Sequence, residues 1–267
     1  MPYIEFQNIS DFDPEAIFDC GQCFRWVRGE DGLYCGVAEG RFGRIAYQNG
    51  VLRIYETTEE DRPFWSRYFD LDRDYGAVKR QLQGIDRFLD QAIAFGGGIR
   101  ILNQEFFETL ISFILSANNN IPRIRGCVEH TAQYYGQEKN GYFTFPDCRI
   151  LGAVPEADLS DKLHAGYRCQ YIVTTCRQFL EHPVTVEELS AMSLQDARKT
   201  LCSYMGVGPK VADCILLFTG ARADVFPVDV WVKRVMEELY FGRSASVKEI
   251  DAFAWEHFGK MRGFAQQ

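Results

Sequence analysis

Apolar positions in the first ninety-odd residues come in short runs. Phe24–Val27, Leu33–Val37, Arg44–Tyr47 and Val51–Tyr55 are punctuated by Gly32, Gly40, Gly43 and Asn49-Gly50. An Asn-Gly pair between two such runs is a strong hairpin signal, because both residues tolerate the positive φ of a tight turn. These runs predict an antiparallel sheet, followed by a helix over 75–94 and a flexible junction at Gly96-Gly97-Gly98. Beyond the junction the period changes. The segment 105–117 has apolar residues at 106, 107, 110, 111, 113, 114, 115 and 117, too many for a surface helix, so it should lie at the centre of its domain. Further helices are expected at 122–136, 147–153, 158–163, 168–181, 186–191, 194–205, 209–219, 229–241 and 247–258, with proline and glycine between many of them. The expected fold is α+β. An N-terminal antiparallel sheet domain (1–97) packs on a mostly helical domain (98–267), with a cleft between them.

Composition narrows the setting without naming a chemistry. The 267 residues are 46% hydrophobic and 25% charged, an ordinary globular balance. No signal-peptide pattern or membrane-length apolar segment is present, so a soluble intracellular protein is expected. Nine irregularly spaced cysteines argue for reduced thiols rather than a disulfide framework. Cys20-Gly21-Gln22-Cys23 has no second pair to complete a zinc site, and the last fifty residues hold no cysteine cluster for iron and sulfur. The net charge of −8 weighs against broad electrostatic binding to nucleic acid. Residues 1–98 carry 17 acids and 11 bases, whereas residues 99–267 carry 20 and 18. A focused contact with a few phosphates remains compatible with that distribution.

The chemistry is concentrated in one block. Leu194–Met205 reads as a helix ended by Gly206, and Pro209 suits the first turn of the next helix. A tight connection alone would explain Gly206-Val207-Gly208-Pro209. The two glycines would also let a phosphate approach the backbone beside a helix N-terminus, a contact indifferent to base sequence. Lys210 follows at once. Most lysines are solvated surface residues, but at the positive end of a helix dipole the charged form is disfavoured, and a neutral amine can form a Schiff base with a sugar. Asp229 reads first as the N-cap of the helix after Pro227, and a carboxylate fixed there can also stabilise an oxocarbenium-like sugar. Cys214, one turn after Lys210, reads as a small buried residue. Asn118-Asn119-Asn120 reads as a helix C-terminal turn.

With these residues in view, Leu201–Asp229 resembles the helix–hairpin–helix DNA glycosylase superfamily, and more narrowly the 8-oxoguanine DNA glycosylase/lyase family. Three further stretches carry the narrower likeness: Gly21-Gln22-Cys23-Phe24-Arg25-Trp26, Ser116–Ile124, and Gly166-Tyr167-Arg168. The likeness runs from about residue 4 to residue 266. It implies excision of 8-oxoguanine from double-stranded DNA, opposite cytosine, followed by cleavage of the abasic site, with no cofactor or metal, by a monomer. It implies Lys210 as nucleophile and Asp229 as the group that stabilises developing charge. Gly21 would accept the N7–H that guanine lacks, Cys214 would flank the extruded base, and Gln266 would bond its Watson–Crick edge. Asn118 would fill the vacated stack, Arg123 and Arg168 would reach the estranged cytosine, and Tyr167 would wedge beside it. Gly206, Val207 and Gly208 would hold a phosphate.

Three departures stand against that likeness. The family's last helix normally continues and supplies an aromatic ring to stack on the base; either this sequence is a piece of a longer chain or another residue covers that face. Trp231 stands where relatives can carry a histidine near a phosphate, and Pro122 varies the Asn-rich turn. Two other readings stay open at this stage: a lysine-dependent glycosylase for another oxidised base, and a non-catalytic helix–hairpin–helix DNA-binding module.

Overall fold

A computed structural model describes residues 2–267. Its N-terminal half holds β1 (Tyr3–Phe6), α1 (Pro14–Asp19), β2 (Trp26–Arg28), β3 (Tyr34–Ala38), β4 (Arg41–Gln48) and β5 (Val51–Tyr55), then α2 (Arg62–Tyr68), α3 (Tyr75–Leu82) and α4 (Arg87–Gly96). Next come α5 (Phe106–Ser116), α6 (Ile121–Tyr135), the two short strands β6 (Glu138–Lys139) and β7 (Tyr142–Phe143), α7 (Cys148–Ala153), α8 (Glu156–Leu163) and α9 (Arg168–Glu181). The chain continues through α10 (Val186–Ala191), α11 (Leu194–Leu201), α12 (Pro209–Phe218), α13 (Val230–Met236), α14 (Val247–Phe258) and α15 (Arg262–Gln266). The predicted α+β class is what forms.

The five-stranded sheet is antiparallel in the order β1-β5-β4-β3-β2. Asn49 and Gly50, both at positive φ, close the β4–β5 hairpin as the sequence predicts. One face of the sheet is covered by α1 and α2 through an aromatic core of Phe18, Trp26, Trp65, Tyr68 and Phe69. The helical half is built around α5, whose nine buried residues fit its predicted central place.

Several expectations change. The single helix over 75–94 is two, because Gly84 turns the chain at φ +82° and Asp86 caps α4 through the amides of Phe88 and Leu89. The Gly96–Gly98 segment is packed rather than flexible: Gly98 accepts from the Asp13 amide at 2.9 Å, and a Cβ there would lie 2.5 Å from the Asp13 Cβ. Helix α11 ends at Leu201, four residues early, and the chain then turns into the 206–208 hairpin. After α13 the backbone runs as π-helix over Glu237–Phe241 before Gly242 stops it in the left-handed region.

Several contacts bind the halves together. Buried Arg100 donates to the carbonyls of Ser10, Asp11 and Asp70, tying the start of the helical half to the segments that follow β1 and α2. The β6–β7 hairpin reaches back to the sheet, with Tyr142 stacked on Phe42 and bonded to the Gly40 carbonyl.

Candidate active site

A cleft of ≈ 1000 Å³ opens between the halves. Gly21, Asn118, Arg123, Lys210, Asp229 and Trp231 all line it. Residues separated by nearly the whole chain therefore meet on one surface.

Each is held for a local reason. Gly21 adopts φ +87°, which a side chain would strain. The next residue pins it: the buried Gln22 amide donates to the carbonyls of Ile17 and Arg100 and accepts from the Leu102 amide, all at 2.9 Å. Lys210 is half-buried in the first turn of α12, with its Nζ 5.2 Å from the centre of the Phe113 ring on α5. Cys214 lies one turn behind, buried, and burial pushes its thiol up to about 11 while Lys210 pulls the other way. Asp229 caps α13 by accepting from the Val232 amide at 2.7 Å through Oδ1, and it stays exposed. Its Oδ2 has no partner among the described residues.

The hairpin rests on α9. Met205 donates to Gln178 at 2.7 Å and accepts from Thr175, while Gly206, at φ +83°, sits so close to Tyr171 that a Cβ would come within 2.8 Å. Val207 is buried and anchors the turn, leaving Gly208 exposed, with nothing within 4 Å of where a Cβ would stand. The start of α9 serves the Asn turn. Arg168 is buried, and its guanidinium donates to the carbonyls of Ala117, Asn118 and Ala165. Asn118 itself is exposed at φ +50°, a conformation asparagine tolerates better than most residues. Arg123 donates to the His164 carbonyl at 2.8 Å. Tyr167 is half exposed beside Arg168, with the guanidinium over its ring.

Not every predicted residue joins the cleft. Tyr167, Arg168, Gly206–Gly208, Cys214 and Gln266 are not part of its lining, although Arg168 reaches two lining residues through the Ala117 and Asn118 carbonyls. Conversely, sequence reasoning assigned no site role to Phe24, Phe113, Ile121, Lys233 or Val247, which also belong to the lining. Ile121 stands closest to Gly21, with its Cδ1 3.6 Å from where a Cβ would be. The apolar members looked like core, and only the meeting of the halves gives them a second role.

An ionic network braces this wall. Arg198 on α11 forks onto Asp213 of α12 with two 2.7 Å bonds and reaches Asp251 of α14 at 2.9 Å. Asp251 also accepts from buried Arg262 at the start of α15. Burial raises the Asp213 carboxyl, while its bonds to Arg198 oppose the rise. Among the described residues, no three His, Cys, Asp or Glu side chains gather as metal ligands would.

Residues 6–110 match the family described as 8-oxoguanine DNA glycosylase, N-terminal domain, and residues 111–260 match the HhH-GPD superfamily base excision DNA repair protein. Over 97% of this chain and 92% of its own length, the "Probable N-glycosylase/DNA lyase" of Methanothermobacter thermautotrophicus is 33% identical. The chain belongs to the 8-oxoguanine DNA glycosylase/lyase family. The N-glycosylase/DNA lyase of Saccharomyces cerevisiae is 39% identical over 87% of this chain and 69% of that protein. The Clostridium acetobutylicum 8-oxoguanine glycosylase/lyase, solved with double-stranded DNA containing cytosine opposite 8-oxoguanine, superposes with a TM-score of 0.93 at 40% identity. That superposition covers 99% of this chain and 92% of the other. Family membership therefore rests on both halves of the chain.

Proposed function

We propose that this protein extrudes 8-oxoguanine from duplex DNA opposite cytosine, excises it, and cleaves the abasic site by β-elimination. It is a bifunctional DNA glycosylase and abasic-site lyase. The observation that carries the residue assignment is the presence of Lys210 and Asp229 in one cleft with Gly21. In this reading the Lys210 amine attacks C1′ as the N-glycosidic bond breaks, and the departing purine takes up a proton. The ring-opened sugar is then held as an iminium on Nζ. Loss of a C2′ proton expels the 3′ phosphate and cuts the strand. The free Asp229 oxygen stabilises the cationic sugar. The Gly21 carbonyl accepts N7–H of the lesion, whereas normal guanine would present an acceptor to it. Asn118 fills the gap in the stack, Arg123, Tyr167 and Arg168 attend the orphaned cytosine, and the hairpin 206–208 holds a phosphate. Cys214 flanks the extruded base, and Gln266 bonds its Watson–Crick edge.

Such a protein works on DNA inside the cell, and none of the described helices is long and apolar enough to cross a membrane. Borohydride reduction during incubation with an 8-oxoguanine:cytosine duplex should trap a covalent adduct, absent in Lys210→Gln. Binding without adduct or strand cleavage would reduce the chain to a DNA-binding module, and a larger adduct yield on thymine glycol would reassign the lesion.

A further inference from the structure

Four tryptophans occur in the chain, and they divide sharply. Trp26 and Trp65 are fully buried in the sheet core, Trp255 is half exposed on α14, and Trp231 is 67% exposed. Of these, only Trp231 lines the cleft. The other aromatic rings there, Phe24 and Phe113, are buried against each other edge to face and offer little surface. Trp231 is thus the one broadly exposed aromatic ring of the lining.

Leaving so large a ring in water forgoes its burial energy, so an exposed tryptophan in a concave site invites a planar partner. Its surroundings prepare one face. Arg234, one turn later on α13, holds its guanidinium 4.8 Å from the centre of the indole and has no carboxylate partner among the described residues. Stacked this way, the arginine stiffens the ring and adds positive charge at the rim. Trp231 also follows Asp229 by two residues in the first turn of the same helix, and both line the cleft together with Lys210 and Gly21.

We infer that Trp231 is the stacking platform for the extruded purine. The inference rests on the excision reading and deepens it: an enzyme that extrudes a base must replace the stacking the base loses, and aromatic faces do this for any base. Trp231 contributes affinity for the extruded base, and Gly21 contributes the choice of lesion. Arg234 is a positioning residue that acts through the indole.

The test compares two duplexes, one with 8-oxoguanine opposite cytosine and one with a preformed abasic site. Trp231→Ala should raise KM on the first by roughly ten- to a hundredfold, the range expected for one lost base–aromatic stack. That loss should exceed its effect on the abasic duplex by at least about tenfold. Trp231→Phe should recover most of the loss, because it restores a flat ring. Binding of the 8-oxoguanine duplex to Lys210→Gln should quench tryptophan emission, and the quench should vanish when Trp231→Phe is added. Equal losses on the two duplexes, or no loss on either, would overturn the inference. A failure of the excision reading itself is separate: wild-type protein would then trap no borohydride adduct on either duplex.

Discussion

Replacing Glu108 by glutamine should stabilise this protein at alkaline pH and leave it nearly unchanged at acid pH. Glu108 projects from α5 toward Arg25, with 3.9 Å between its carboxylate and the guanidinium. Arg25 is buried, and its Nε and one terminal nitrogen lack any hydrogen-bond acceptor among the described residues. Burial pushes the Glu108 carboxyl from 4.5 up to about 7, against the opposing charge of Arg25. A rise of that size corresponds to about 3 kcal/mol at roughly 1.4 kcal/mol per unit. The side chain keeps 19% exposure, so water trims the figure to about 1–3 kcal/mol. The folded value lies above the unfolded one, so the stabilising share of the neutral carboxyl is complete below pH 4.5 and fades as pH rises through about 7. Above that the folded protein carries a poorly solvated charge, which glutamine removes. Urea unfolding of wild type and Glu108→Gln at about pH 5 and about pH 8.5 measures the difference directly. If the variant were less stable at the higher pH, attraction to Arg25 would outweigh desolvation, and this account of the pair would be refuted.

Asp229→Asn keeps a residue that caps as well as aspartate, so the melting temperature should hold while excision falls about 10²–10³-fold in single-turnover assays. Arg168→Ala strands the carbonyls of Ala117, Asn118 and Ala165 and should cost on the order of 2–4 kcal/mol in thermal or urea unfolding, only part of which Arg168→Lys restores. Gly206→Ala should lose about 1–3 kcal/mol of stability, because it combines positive φ with a clash on Tyr171. Gly208→Ala has open space and should fold normally, yet bind duplex more weakly in a titration if a phosphate approaches that turn.

Local patterns carried most of the fold. The Asn49-Gly50 hairpin, the dense apolar periodicity of α5 and the proline at the start of α12 each act over a few residues, so they are visible in a string. Helix α1 and the β6–β7 hairpin were missed because their stability comes from what they dock against, as Tyr142 on Phe42 illustrates. Gly84 broke an expected helix by adopting positive φ, something a glycine permits but does not announce. In the site, Lys210 and Asp229 were legible from spacing and from family likeness. Phe113 and Ile121 were not, since nothing local distinguishes an apolar residue at the edge of a cleft from one in the core. The commitment of Arg123 and Arg168 to backbone carbonyls also has no sequence signature.

That commitment changes what recognition of the opposite strand requires. Arg168 does not wait with idle donors: its fork is engaged with three carbonyls around the Asn turn, whereas exposed Arg123 gives one nitrogen to His164 and keeps the rest open. Any bond Arg168 makes to an orphaned base is therefore an exchange, in which existing bonds are given up before new ones form. An exchange has a threshold. A base that offers as many acceptors as the carbonyls did is matched evenly, and one that offers fewer is refused without any steric clash. Selectivity for the opposite strand can thus arise from how well the free protein is already satisfied.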